Sequence, residues 1–74
     1  MPDPQLLRAR LLNDGGYNQR AYDLLKNSAP QYANHTKNKL EHAYRMGRVC
    51  HKLNKSSEAI NYYNQVITAG ATQP

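Results

Sequence analysis

The chain has 74 residues, enough for one small domain that buries only about 60% of the surface its unfolded form exposes, so its stability is marginal. With 39% hydrophobic and 20% charged residues it suits a polar globular domain, and no stretch approaches the about 20 apolar residues of a membrane span. A net charge of +5 leaves anionic partners open, and a lone cysteine, Cys50, excludes an internal disulfide framework.

Pro2 and Pro4 stiffen the start, after which Leu6, Leu7, Ala9, Leu11 and Leu12 form a first helical run. Asn13-Asp14-Gly15-Gly16 stops it, because glycine supplies the left-handed conformation that ends a helix. A second helix is expected over residues 17–28, with Ala21, Leu24, Leu25 and Ser28 on one face. Ala29-Pro30 closes it, and a polar loop runs to about Asn34. The third helix is expected over residues 35–53. A turn over residues 54–56 follows, where Ser56 or Ser57 is placed to cap the last helix, expected over residues 57–68 and ending before Gly70. Val49, Val66 and Ile67 fall into helical, not alternating, patterns, so the expected fold class is all-α with about four helices.

Sliding the chain by 38 residues aligns it with itself: Arg10 falls on Arg48, Ala21 on Ala59, Ala9 on Gly47 and Leu12 on Cys50. The matches agree with the helix phase. Paired helices need a small residue where their axes come closest, and Gly47 with Ala59, like Ala9 with Ala21, suits that place. On the third helix Leu40, Ala43, Met46, Gly47, Cys50 and Leu53 cover nearly half the circumference, more than one partner helix requires, so this helix is expected to pack on two sides. Arg45, Arg48, Lys52 and Lys55 recur at i, i+3, i+7 and i+10 as a basic stripe, with Glu41 one turn before Arg45.

The spacing Ala43-x2-Met46-Gly47-x2-Cys50, followed by Ala59-x3-Tyr63, resembles one unit of the tetratricopeptide repeat, a helix pair of about 34 residues. The resemblance is best over residues 40–66, and it implies a short right-handed α-solenoid of two units, about residues 4–29 and 36–69. Ala43 stands where that family commonly carries a large aromatic, and Ala71 stands near its usual closing proline. The implied packing residues are Ala9, Ala21, Gly47, Cys50, Ala59 and Tyr63. The first helix of each unit in that family lines a concave groove. The matching positions here are Glu41, Tyr44, Arg48, His51 and Lys52, and in the first unit Asp3, Leu6, Arg10, Asn13 and Asp14. Arg10, Tyr44, Arg48, His51 and Lys52 are therefore the candidate partner-binding residues. The Lys/Asn/Arg set with which some members clamp a chaperone tail is absent, so that activity is not implied.

The expected function is a non-catalytic scaffold that binds a protein or acidic peptide through this partly basic groove, in a complete domain or as a fragment of a longer array. No cofactor or metal is expected: His35, His42 and His51 lack a converging carboxylate or thiol at ligand spacing. Cys50 and His51 are adjacent helical residues that point about 100° apart, and no third residue orients them as a nucleophile and base. The net charge motivates a basic nucleic-acid-binding helical module as one rival, with Glu41 among the basic residues weighing against it. Helix-mediated homodimerisation through Tyr62, Val66 or Ile67 is another. The N-terminus lacks the basic and apolar segments of a signal peptide, so the expected compartment is the cytoplasm if the chain is complete.

Overall fold

Two left-handed residues punctuate the chain. Gly16 takes φ 87° and Asn54 takes φ 61°, and each ends a helix whose last turn closes in the same way. The Tyr17 N–H donates to the Leu12 carbonyl at 2.8 Å, and the Lys55 N–H donates to the Cys50 carbonyl at 2.8 Å. The next helix then starts alike, with Ala21 N–H on the Tyr17 carbonyl at 3.0 Å and Ala59 N–H on the Lys55 carbonyl at 2.9 Å. Each group in the second set lies 38 residues after its counterpart, from Gly16 to Asn54 and from Ala21 to Ala59. The internal repeat is thus present in the hydrogen-bond register of the two turns.

The computed structural model describes residues 3–71; Pro2 lies outside them. The described residues form α1 (Pro4–Asp14), α2 (Asn18–Ser28), a 3-10 turn (Ala29–Tyr32), α3 (Thr36–Lys52) and α4 (Ser56–Ala71), with no strand among them. The fold is all-helical, as expected. Two boundaries differ from expectation. Residues 29–32 are not open loop but a 3-10 turn, because Tyr32 is drawn inward to 2% exposure and its hydroxyl donates to Asp3 Oδ1 at 2.6 Å. Meanwhile α4 begins at Ser56, inside the expected serine cap, and runs through Gly70. A mid-helix glycine costs about 1 kcal/mol relative to alanine but does not force a stop.

At the start of α1, the Asp3 carboxylate accepts from the N–H groups of Gln5 (2.9 Å) and Leu6 (3.2 Å), two of the donors a helix start leaves unpaired. Pro4 fills the first helical position, where its missing N–H costs nothing. The Tyr32 bond therefore ties the beginning of α1 to the segment between α2 and α3. It also holds the Asp3 carboxyl below its ordinary value, with the Leu6 and Gln5 N–H groups adding to the effect. Desolvation, helped by the Asp3 charge, pushes the Tyr32 phenol up to about 12.

Packing centres on α3, which touches α1, α2, the 3-10 turn and α4. Its two-sided burial holds, but the buried set is His42, Ala43, Met46, Gly47, Val49 and Cys50, while Leu40 and Leu53 are only partly covered. His42 is inside because its Nε2 lies 2.7 Å from the Leu25 carbonyl, one of the acceptors the end of α2 leaves free. Ser28 Oγ, buried beside it, donates back to the Leu24 carbonyl at 2.8 Å. Ala9, Ala21, Cys50 and Ala59 are buried in the core cluster. At Gly47 a Cβ would lie 2.6 Å from Tyr63 Cε1 and 2.7 Å from Cδ1, so α3 and α4 approach over a site that only glycine fits.

Two predictions follow from these contacts. Gly47→Ala gains about 1 kcal/mol of helix propensity but forces the Tyr63 ring aside at a cost of about 1–3 kcal/mol. We expect a net loss, lowering Tm by about 4–8 °C per kcal/mol, with Gly47→Ala/Tyr63→Leu recovering part of it. A Tm for Gly47→Ala at or above wild type would show that the seam is not tight. The second concerns acid. Because Asp3 binds its proton more weakly folded than unfolded, its contribution is complete above the ordinary value of 3.8 and is lost as the pH falls through the lower folded-state value. Denaturant titrations across this range should show Asp3→Asn, which keeps a capping oxygen, with a shallower acid loss than wild type; parallel curves would rule out the clasp.

Candidate functional site

The outward face of α3 presents Tyr44, Arg48, His51 and Lys52, all exposed. Arg48 sits one turn beyond Tyr44, and its Nη1 donates to the Tyr44 hydroxyl at 3.2 Å. Arg45 lies over the same ring from 5.4 Å and Arg48 from 5.9 Å, so two guanidiniums flank one aromatic ring. The Arg48 hydrogen bond, and then its charge, pull the Tyr44 phenol below its usual value. Tyr44 in turn packs at 6.4 Å from Tyr63 of α4 with the rings tilted by 53°.

Arg48, His51, Lys52 and Tyr63 together line a concavity of about 230 Å³. Three nitrogen-bearing side chains thus converge on one hollow whose lining, among the described residues, contains no carboxylate. Such a hollow can hold an anionic group, with the Tyr63 ring as its wall and charge-assisted hydrogen bonds as its grip. Burial pushes the Tyr63 phenol up, so this wall stays neutral at physiological pH.

Of the five expected partner-binding residues, Arg48, His51 and Lys52 come together in this hollow, and Tyr44 adjoins it through Arg48. Arg10 is exposed near the end of α1, outside the lining, where its Nε lies 3.7 Å from Asp14 Oδ2.

The other groove positions divide. Leu6 is 1% exposed and belongs to the core, and Asp3 is engaged by the α1 cap and Tyr32, so neither faces a groove. The basic stripe is also shorter than its spacing suggests. Arg45 is half-buried beside Glu41 at 3.7 Å. Lys55 falls beyond the end of α3, where the Asn54 turn carries it away. There its Nζ lies 5.2 Å from the Tyr22 ring centre and 3.9 Å from Glu58 Oε2, while the Tyr22 hydroxyl donates to Glu58 Oε1 at 2.8 Å.

Two features went unread in the sequence. Tyr63 was expected only as a packing residue, yet it both meets Gly47 and walls the hollow. A second, larger cleft of about 670 Å³ opens between the first half of α3 and the second half of α4. Its floor includes Ala43, so the absence of a bulky side chain there was the available signal. Cys50 is fully buried, and desolvation pushes its thiol up and away from the reactive thiolate. Among the described residues no group of three His, Cys, Asp or Glu is placed to hold a metal ion, and no helix is long and apolar enough to cross a membrane. Compared with known proteins, this chain matches no family model, no curated protein and no solved structure.

Proposed function

We propose that this chain is a non-catalytic protein-interaction module that takes an acidic peptide segment into the basic hollow on α3. The observation that carries the reading is the convergence of Arg48, His51 and Lys52 on one concavity with no carboxylate in its lining among the described residues. Arg48 is braced by Tyr44 and so enters the interaction partly ordered, which lowers the entropy cost of gripping a carboxylate. Exposed charges of this kind contribute only about 0.2–1 kcal/mol each, so the tyrosines must add contact area, and association is fast, weak and salt-sensitive.

The architecture belongs to the same proposal: two tetratricopeptide-like hairpins, α1–α2 and α3–α4, stacked as a short right-handed solenoid. It is supported by the repeated turn chemistry at Gly16 and Asn54, by the Gly47–Tyr63 contact, and by the small residues Ala9, Ala21 and Ala59 inside the helix seams. In such an array α1 and α3 stand side by side, and Arg10 adds a second positive charge along the row.

The test is a titration with hexaglutamate peptide against the wild type and Arg48→Glu/Lys52→Glu. Both side chains are exposed, so helical circular dichroism should be unchanged while affinity falls about tenfold or more. Raising the salt should weaken wild-type binding, because the screening length shortens from about 10 Å at 0.1 M to about 3 Å at 1 M. Binding that survives the charge reversal would remove the hollow from the interface. Tighter binding to a DNA or RNA duplex than to the peptide would replace this reading with nucleic-acid recognition.

A further inference from the structure

The 38-residue repeat gives each residue of one helix pair a counterpart in the other. The contact between the pairs can therefore be compared with what stands free at the two ends of the molecule. Inside the chain, the second pair docks on the first through one stripe of α3. His42, Met46 and Val49 are buried at i, i+4 and i+7, and His42 Nε2 meets the Leu25 carbonyl of α2. On the receiving side, Tyr22 of α2 is covered by the start of α4. Lys55 Nζ lies 5.2 Å from its ring centre, and its hydroxyl donates to Glu58 Oε1.

Shifted by 38 residues, these positions fall on free surface. Val49, 1% exposed, corresponds to Leu11 of α1, which is 61% exposed. Tyr22, 9% exposed, corresponds to Ile60 of α4, which is 60% exposed. Lys55, the residue before α4, corresponds to Tyr17, the exposed aromatic before α2. Leu7, exposed as well, lies one turn before Leu11. Singly exposed apolar residues need no explanation. These lie where the other unit carries the contact between the pairs, and they divide into a docking half at α1 and a receiving half on α4.

That division specifies the occupant. A docking half fits a receiving half, and this chain carries one of each, at different ends. A face that pairs with itself would need one patch that serves both sides. The polar parts of the internal contact do not recur, because Glu58 corresponds to Arg20 and Met46 to Arg8. Arg8 keeps its charge in water and lays its aliphatic stem along the seam. A contact between copies is therefore weaker than the internal one, and it forms against the net charge of +5 on each copy.

We propose that copies of this chain associate head to tail, with α1 of one copy docked on α4 of the next as α3 docks on α2 within the chain. Leu11 enters the seam in the place of Val49, and Tyr17 covers Ile60 of the next copy as Lys55 covers Tyr22. The contact does not draw on Arg48, His51 or Lys52, so it stands or falls separately from the basic hollow.

The experiment is sedimentation equilibrium of the full chain and of Leu11→Gln and Ile60→Gln. Both residues are exposed and neither substitution changes the charge, so the helical circular dichroism should be unchanged. The wild-type mass should rise with concentration past two copies, with a dissociation constant on the order of 1 mM, as suits a small contact. Added salt should strengthen this association by screening the repulsion between copies, opposite to its effect on peptide binding. Each variant alone should associate at least about tenfold more weakly. An equimolar mixture of the two should recover the association and stop at two copies. In that mixture Leu11→Gln supplies an intact α4 face and Ile60→Gln an intact α1 face. The proposal is overturned if the wild type stays monomeric through this concentration range or if its mass levels off at two copies. It is overturned as well if the mixture associates no better than either variant alone.

Discussion

The close crossing of α3 and α4 at Gly47 and Tyr63 sets the geometry of both concavities along α3. With no side chain at Gly47, the Tyr63 ring lies against the α3 backbone, and its position is fixed from beneath. The same ring then serves as the wall of the basic hollow and as the neighbour of Tyr44. Tight contact at one point along two stiff helices also implies space elsewhere unless larger residues fill it. Ala43 does not, and the cleft results. One seam thus produces a shallow cationic hollow toward one end of α3 and an amide-lined cleft toward the other.

On the opposite side of α3 the core of Leu6, Leu25, Met46 and Val49 is joined by polar groups. Helix ends leave carbonyls and N–H groups unpaired, and here side chains take some of them up. His42 meets the Leu25 carbonyl, Asp3 meets the α1 N–H groups, and Tyr32 closes onto Asp3 from 29 residues away. Each is a half-buried or buried polar group with its hydrogen bond made, which is the condition for such groups to be inexpensive inside a small core. Tyr22 follows the same logic at the far end, where Glu58 accepts its hydroxyl and Lys26 and Lys55 flank its ring.

What could be read from the sequence was what depends on local rules. Gly16 and the small residues Ala9, Ala21, Gly47 and Ala59 declare a helix stop and close helix contacts through their size and conformational freedom alone. The two-sided burial of α3 followed from its wide apolar arc. The errors arose wherever a distant group decided the outcome. Periodicity gives no reason to bury His42; only the free carbonyl at Leu25 does. The 3-10 turn at Tyr32 depends on an aspartate in another helix cap. The basic stripe looked continuous because helical spacing was carried past Lys52, whereas the left-handed Asn54 sends Lys55 toward Tyr22 and Glu58. Arg48, His51 and Lys52 were legible as one surface because they share a helix; the Tyr63 wall comes from the next one.

Contacts in this fold join elements that are near in sequence, and α4 is held along its length by α3 alone, with Tyr22 reaching its first turn. In terms of local opening, that makes the α4 end the region whose amides exchange first. Tyr63, the α4 residue that walls the basic hollow, sits at the tight crossing over Gly47, whereas the cleft lining runs on to Ala69 near the end of that helix. Fraying of α4 from its end therefore dismantles the cleft while the hollow keeps its wall.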